Sequence, residues 1–130
     1  MRILITGSRD WADADSIKTA ISDTWVSHGR PPVVTVVHGC ARGADTIAGG
    51  FARAIGWNVE EHPAAWDTRG RAAGYIRNSE MVNAGADVCL AFIRNQSRGA
   101  SMCADLAERA GIPTVRFNVT KPTEYEETQP

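Results

Sequence analysis

The sequence predicts an α/β protein with a Rossmann-like three-layer fold: a mostly parallel five-stranded sheet with helices on both faces. Three observations carry this. Short apolar runs alternate with helical repeats along the chain of 130 residues, as successive βα units with right-handed crossovers require. The strand-like runs are continuously apolar rather than alternating, which is the pattern of strands covered on both faces. Three of the runs end in short glycine loops: Gly7-Ser8-Arg9, Gly39-Cys40-Ala41-Arg42-Gly43-Ala44-Asp45 and Ser97-Arg98-Gly99-Ala100-Ser101. In an open α/β sheet such loops lie at the carboxyl ends of the strands, where ligands bind.

Each element follows from local pattern. Ile3-Leu4-Ile5 is the first strand. Asp13 to Ser16 supplies helix caps, after which Ile17, Ala20, Ile21 and Trp25 recur at helical spacing until Gly29-Arg30-Pro31-Pro32 stops the helix. Val33 to Val37 is a β-branched second strand. The next helix runs from about Ala44 to Ile55 with Ile47, Ala48, Phe51, Ala52 and Ile55 on one face. Trp57 to Glu61 is only half apolar, as suits a strand near an edge. A loop, His62 to Arg69, leads to a helix from about Gly70 to Ala84, its stripe being Ala72, Tyr75/Ile76, Ser79 and Val82. Val88 to Ile93 is a buried strand, Ala100 to Ala110 a helix burying Met102, Leu106 and Ala110, and Thr114 to Phe117 the last strand. One domain, residues 1–117, is expected, and 118–130 read as a polar, frayed tail.

Composition narrows the function. With 43% hydrophobic and 22% charged residues the chain is an ordinary globular one, and its net charge of −1 excludes the basic excess of a general nucleic-acid binder. Cys40, Cys89 and Cys103 have neither metal spacing nor an even count, so a reducing, cytoplasmic setting without metal or cofactor is expected, with Cys89 a buried small hydrophobe. No signal peptide or membrane-spanning run is read. All basic residues but Lys18 and Lys121 are arginine. That excess accompanies abundant alanine and glycine, the mark of GC-rich coding, but arginines in all three glycine loops ask for an anionic ligand.

The first loop is not a dinucleotide fingerprint: Gly7 stands alone, and Asp10, Asp13 and Asp15 at the helix start would repel an anion there. The loop around Arg94, Ser97, Arg98, Gly99 and Ser101 is a better phosphate cradle, since it combines a helix N-terminus with two guanidiniums. The alternative is a polar turn with Ser97 as N-cap. In the second loop Asp45 reads as a dipole-stabilising residue, and His38 equally as a site residue or as a satisfied loop histidine. Gly74 inside a helix costs about 1 kcal/mol relative to alanine, which calls for close approach of another helix or of a ligand. Arg77 and Asn78 lie one step off the apolar stripe and face either a cleft or, for Arg77, an i,i+3 pairing with Glu80. Pro63, Trp66 and Arg69 form a lid or stacking surface, unless Trp66 is buried.

Taken together, Thr6-Gly7-Ser8-Arg9, His38-Gly39-x-Ala41-Arg42-Gly43-Ala44-Asp45, Pro63-Ala64-x-Trp66, Gly70-x-Ala72-Ala73-Gly74-x-Ile76-Arg77-Asn78-x-x-Met81 and Ala91-Phe92 resemble the YspA-like (cpYpsA-related) branch of the SLOG superfamily, over residues 2 to about 117. The resemblance implies a nucleotide over the strand ends, with contacts from Gly7, Ser8, Arg9, Gly39, Arg77, Asn78, Gly99 and Ser101, and a homodimer. More distant branches are LONELY GUY-type phosphoribohydrolases and DNA-processing protein A. The former pair an arginine, similar to Arg77, with the glutamate of P-G-G-x-G-T-x-x-E. Here Gly99-Ala100-Ser101-Met102-Cys103 puts Ala100 for the threonine and Cys103 for the glutamate, and a neutral thiol cannot stabilise an oxocarbenium ion as a carboxylate does.

The reading is therefore a binder of a nucleotide or nucleotide-derived molecule, a sensor or sink. Arg9, Arg77 and Gly99 to Ser101 hold phosphate, Gly7 and Gly39 admit the sugar, Trp66 stacks on the base, and Arg42, Ser97 and Arg98 join the site. The alternative is a nucleoside monophosphate N-glycoside hydrolase in which Asp45, Asp67 or Glu80 replaces the glutamate. Single-stranded DNA binding, which needs a basic stacking groove, comes third.

Overall fold

The computed structural model describes residues 1–119. Its strands are β1 (Arg2–Gly7), β2 (Thr35–His38), β3 (Asn58–Glu61), β4 (Val88–Arg94) and β5 (Thr114–Val119), and its helices α1 (Ala14–Ser27), α2 (Ala44–Ala54), α3 (Trp66–Arg69), α4 (Ala73–Ala84) and α5 (Arg98–Arg109). The five strands form one sheet in the order β3-β2-β1-β4-β5, and every pairing is parallel. The Rossmann-like expectation holds, with the half-polar β3 at an edge.

Alternate residues of the strands build two cores. Ile3, Ile5, Val36, Leu90 and Phe92 face Ile17 and Ile21 of α1 and Ala44, Ala48 and Ala52 of α2. Leu4, Val37 and Cys89 face Met81 and Val82 of α4 and Cys103 and Ala107 of α5. Asp13 caps α1, its carboxylate accepting from the Ser16 amide at 3.1 Å.

Five local expectations need correction. In α5 the buried residues are Ala100, Cys103, Ala104 and Ala107, whereas Met102 and Leu106 are half-buried and Ala110 is exposed. Small side chains let α5 lie close on β1 and β4, so proximity outranks hydropathy. In α4 the buried positions are Ala73, Asn78, Met81 and Val82, and Tyr75 is 52% exposed. The segment before α4 is not a plain loop: α3 and a 3₁₀ turn over Gly70–Ala72 precede it. Ile55 at the end of α2 is exposed. Strand β5 runs to Val119, so 118 and 119 of the expected tail belong to the sheet, and 120–130 lie outside the described residues. Among the described residues, no helix is long and apolar enough to cross a membrane.

Candidate functional site

The strand order reverses between β1, which leads to β2 on one side, and β4, which leads to β5 on the other. A crevice must open there beyond the carboxyl ends, because the flanking loops turn away to opposite faces. The structure has a cleft of about 1100 Å³ at this point. Gly7, Ser8, Arg9, Arg42, Trp66, Arg77, Asn78, Ser97, Arg98 and Gly99, all singled out in the sequence, line it. Asp45 also lines it. Gly39 lines a smaller chamber of about 360 Å³ that shares Arg9, Arg42, Trp66 and Arg77 with the cleft. Ser101 lines neither, although its neighbours Ala100 and Met102 line the cleft. Asp67 and Glu80 are exposed and outside both.

The β2–α2 loop is organised by a buried acid. Asp45 is 4% exposed, and its Oδ2 accepts from the amides of Gly39 at 3.0 Å and Ala41 at 3.3 Å. It therefore ties the loop together rather than merely facing the α2 dipole. Its Oδ1 is buried without a hydrogen-bond partner. Burial raises the Asp45 pKa to about 6, against the lowering effect of the two amides and of Arg77 nearby. His38 is a structural residue: its Nδ1 accepts from the Cys40 amide at 2.9 Å, which puts the proton on Nε2, and burial lowers its pKa. That bond also holds Cys40 in a left-handed conformation, φ 63°. Gly43, at φ 79°, lets the loop pass against the Ser8 and Arg9 carbonyls, where a side chain has no room.

Arg77 reaches this loop from α4. Its Nη1 donates to the Gly39 carbonyl, and its Nε donates to Asn78 Oδ1 at 2.8 Å. A Cβ on Gly39 would fall on this guanidinium, and a Cβ on Gly7 would fall on Ala44. The space at both glycines is thus taken by protein, which revises the expectation that they open room for a sugar. The alternative Arg77–Glu80 pairing is absent among the described residues; the guanidinium turns inward to the cleft instead, and its Nη2 makes no hydrogen bond among them.

On the opposite wall, Ser8 staples β1 to β4. Its hydroxyl accepts from the Arg94 amide at 2.7 Å and donates to the Arg94 carbonyl at 3.3 Å. Arg94 Nη1 donates to the Asp10 carbonyl at 3.2 Å and lies 3.6 Å from the Asp10 carboxylate. Ser97 occupies the N-cap position of α5, but its side chain makes no cap bond, so the first amides of the helix keep their free donors. Over the cleft, α3 and its 3₁₀ turn bury no residue. Trp66 is 49% exposed, and its ring lies 3.3 Å from where a Cβ of Gly74 would be. Close approach of another helix does explain Gly74: the approaching group is this tryptophan of α3.

Sequence reasoning missed Arg71, Tyr75, Asp10 and Met102 as cleft residues. Arg71, beside Arg69 and Gly70, and Asp10, which directly follows the first glycine loop, carried a local signal, whereas Tyr75 and Met102 reach the cleft through the packing of α4 and α5. Cys103, at the position of the hydrolases' glutamate, is fully buried in the α4–α5 core, with burial pushing its thiol up to about 11. Among the described residues no three His, Cys, Asp or Glu side chains gather where they can hold a metal ion.

The profile of one protein family, described as YspA, cpYpsA-related SLOG, matches residues 1–68. The Gene 61 protein of Mycobacterium phage D29 is 49% identical over 121 residues, covering 89% of this chain and 95% of that protein. No solved structure matches the chain.

Proposed function

This chain belongs to the YspA, cpYpsA-related SLOG family, and from that premise we propose that it binds a nucleotide or nucleotide-derived small molecule at the carboxyl ends of β1, β2 and β4, as a sensor or sink. The observation that carries this reading is the convergence of six arginines on one cleft: Arg9, Arg42, Arg71, Arg77, Arg94 and Arg98. Arginine's planar fork suits phosphate, and the free amides at the start of α5 add dipole and donors. Trp66 and Tyr75, both about half exposed at the rim, offer flat apolar faces to a base. The buried thiol of Cys103 leaves the hydrolases' second catalytic group without a counterpart, which favours binding over turnover.

One observation favours the second reading, N-glycoside hydrolysis. Asp45 is a buried carboxyl at the cleft wall whose pKa of about 6 lies where a general acid works. Asp67 and Glu80 lack that placement. The test is a panel of nucleotides followed by thermal shift, with mass spectrometry of each mixture for freed base. A shift with intact ligand is expected. Freed base, lost in Asp45→Asn, would replace the sensor reading with the hydrolase one. Arg77→Ala should abolish the shift, with Arg77→Lys retaining part of it because a single ammonium keeps charge but not the fork.

A further inference from the structure

The cleft's charge is far from balanced. Among the described residues six arginines face two acids there, Asp10 and Asp45, a formal excess of four positive charges, while the whole chain carries −1. The residues outside this lining therefore carry a net −5, and the near-neutral total hides a polar division. Guanidiniums cannot shed protons to relieve such crowding. Elsewhere three of the six arginines are neutralised, Arg2 on Glu60, Arg53 on Glu61, and Arg116 on Asp105 and Glu108, while Arg30, Arg69 and Arg109 make no ion pair among the described residues. In the cleft, Arg9, Arg42, Arg71 and Arg98 make no ion pair or side-chain hydrogen bond among the described residues.

From this we infer that the ligand is a nucleotide carrying two or more linked phosphates, gripped from both walls of the cleft. Arg9 and Arg42 act from the β1 and β2 loops, and Arg71 and Arg98 from the α4 and α5 side. The inference rests on the nucleotide reading above. A phosphate monoester brings about −1.5 to −2 at neutral pH, at most half of the excess, and each further phosphate closes the gap. Size agrees: sites for drug-sized ligands run from about 300 to 1000 Å³, and this cleft of about 1100 Å³ opens beside a second chamber of about 360 Å³. Nucleoside di- and triphosphates and pyrophosphate-bridged dinucleotides share the required chemistry.

Calorimetric titration of the full chain at physiological salt tests it. The probes are the 5′-mono-, di- and triphosphates of adenosine, guanosine, cytidine and uridine, a pyrophosphate-bridged dinucleotide, and inorganic pyrophosphate. For the preferred base, affinity should rise at least about tenfold from mono- to diphosphate, the worth of one charge-assisted contact. Arg42→Gln and Arg98→Gln change exposed side chains and should each remove about that factor from the diphosphate with an unchanged melting temperature. Whether triphosphate or dinucleotide binds tightest separates the two sources, and either result supports the inference. Equal affinity for mono- and diphosphates would overturn it and leave the nucleotide reading standing. Inorganic pyrophosphate binding as tightly as any nucleotide would overturn the nucleotide reading and keep the phosphate count. Binding of no probe would overturn both.

Discussion

Arg2 and Arg9 flank the two ends of β1 and do opposite work. Arg2 is saturated: its Nη atoms donate to Glu60 at 2.7 and 2.9 Å, its Nε to the Gly85 carbonyl at 2.9 Å, and its own amide to Asp87 at 2.7 Å. It ties β1 to β3 and to the turn before β4. Arg9, one residue past Ser8 at the carboxyl end, has no such partner among the described residues. Around Arg2 the start of β1 is closed by the Glu60 and Asp87 carboxylates, whereas around Arg9 its far end is left with an excess of guanidiniums. The same residue type holds the fold at one end and stays available at the other, and the difference lies in what surrounds it.

That contrast can be broken from either side. The largest effect should come from Gly43→Ala, because the loops that carry Arg9 and Arg42 meet at this left-handed residue with no room for a side chain. Strain and overpacking together should cost about 3 kcal/mol, read by chemical denaturation. Next is Asp45, whose folded pKa of about 6 lies above its ordinary 3.8. A raised carboxyl pKa means that the folded state holds the proton more tightly. Its contribution is complete below about pH 4, falls as pH rises through about 6, and is gone above, a change on the order of 3 kcal/mol. Asp45→Asn should flatten this limb of the stability profile; an unchanged slope would place the burial penalty elsewhere.

Smaller is the exchange between the two ends. Arg2→Ala should lose about 1 to 2 kcal/mol of stability and leave nucleotide affinity intact, since it strips partly buried hydrogen bonds. Arg9→Ala should do the reverse, weakening binding with a stability change of about 0.5 kcal/mol or less. The acid limb sharpens the point. Arg2, then His62, holds Glu60 down at about 2, so this contribution is present above the ordinary carboxylate range and lost as pH falls through about 2. In Arg2→Ala the folded pKa moves back toward the ordinary 4.5, so this acid limb should shrink and be complete at a higher pH. Smallest of all, Glu80→Gln should change neither stability nor binding by more than about 0.5 kcal/mol, its side chain being exposed and outside the cleft.

The β-branched runs and the three glycine loops were legible because strand pattern and turn chemistry are local. So was Asp13 as a cap, which needs only the amide three residues on. The buried face of α5 was not. Hydropathy ranks Met102 and Leu106 above Ala104 and Ala107, yet the distance between helix and sheet selects the alanines. Gly39 looked like an opening for a ligand until Arg77, from another element, was found in its place.

The sequence by itself determined the alternation of strand and helix, the parallel sheet that such alternation must build, and the gathering of its loops at one edge. Periodicity and the handedness of βα crossovers require no more than neighbouring residues. Only the tertiary structure decided which arginines are neutralised and which converge unpaired on the cleft, and that Asp45 holds a loop from beneath its surface. Pairing, desolvation and close approach depend on distances through space between segments far apart in the chain, and no local pattern encodes those distances.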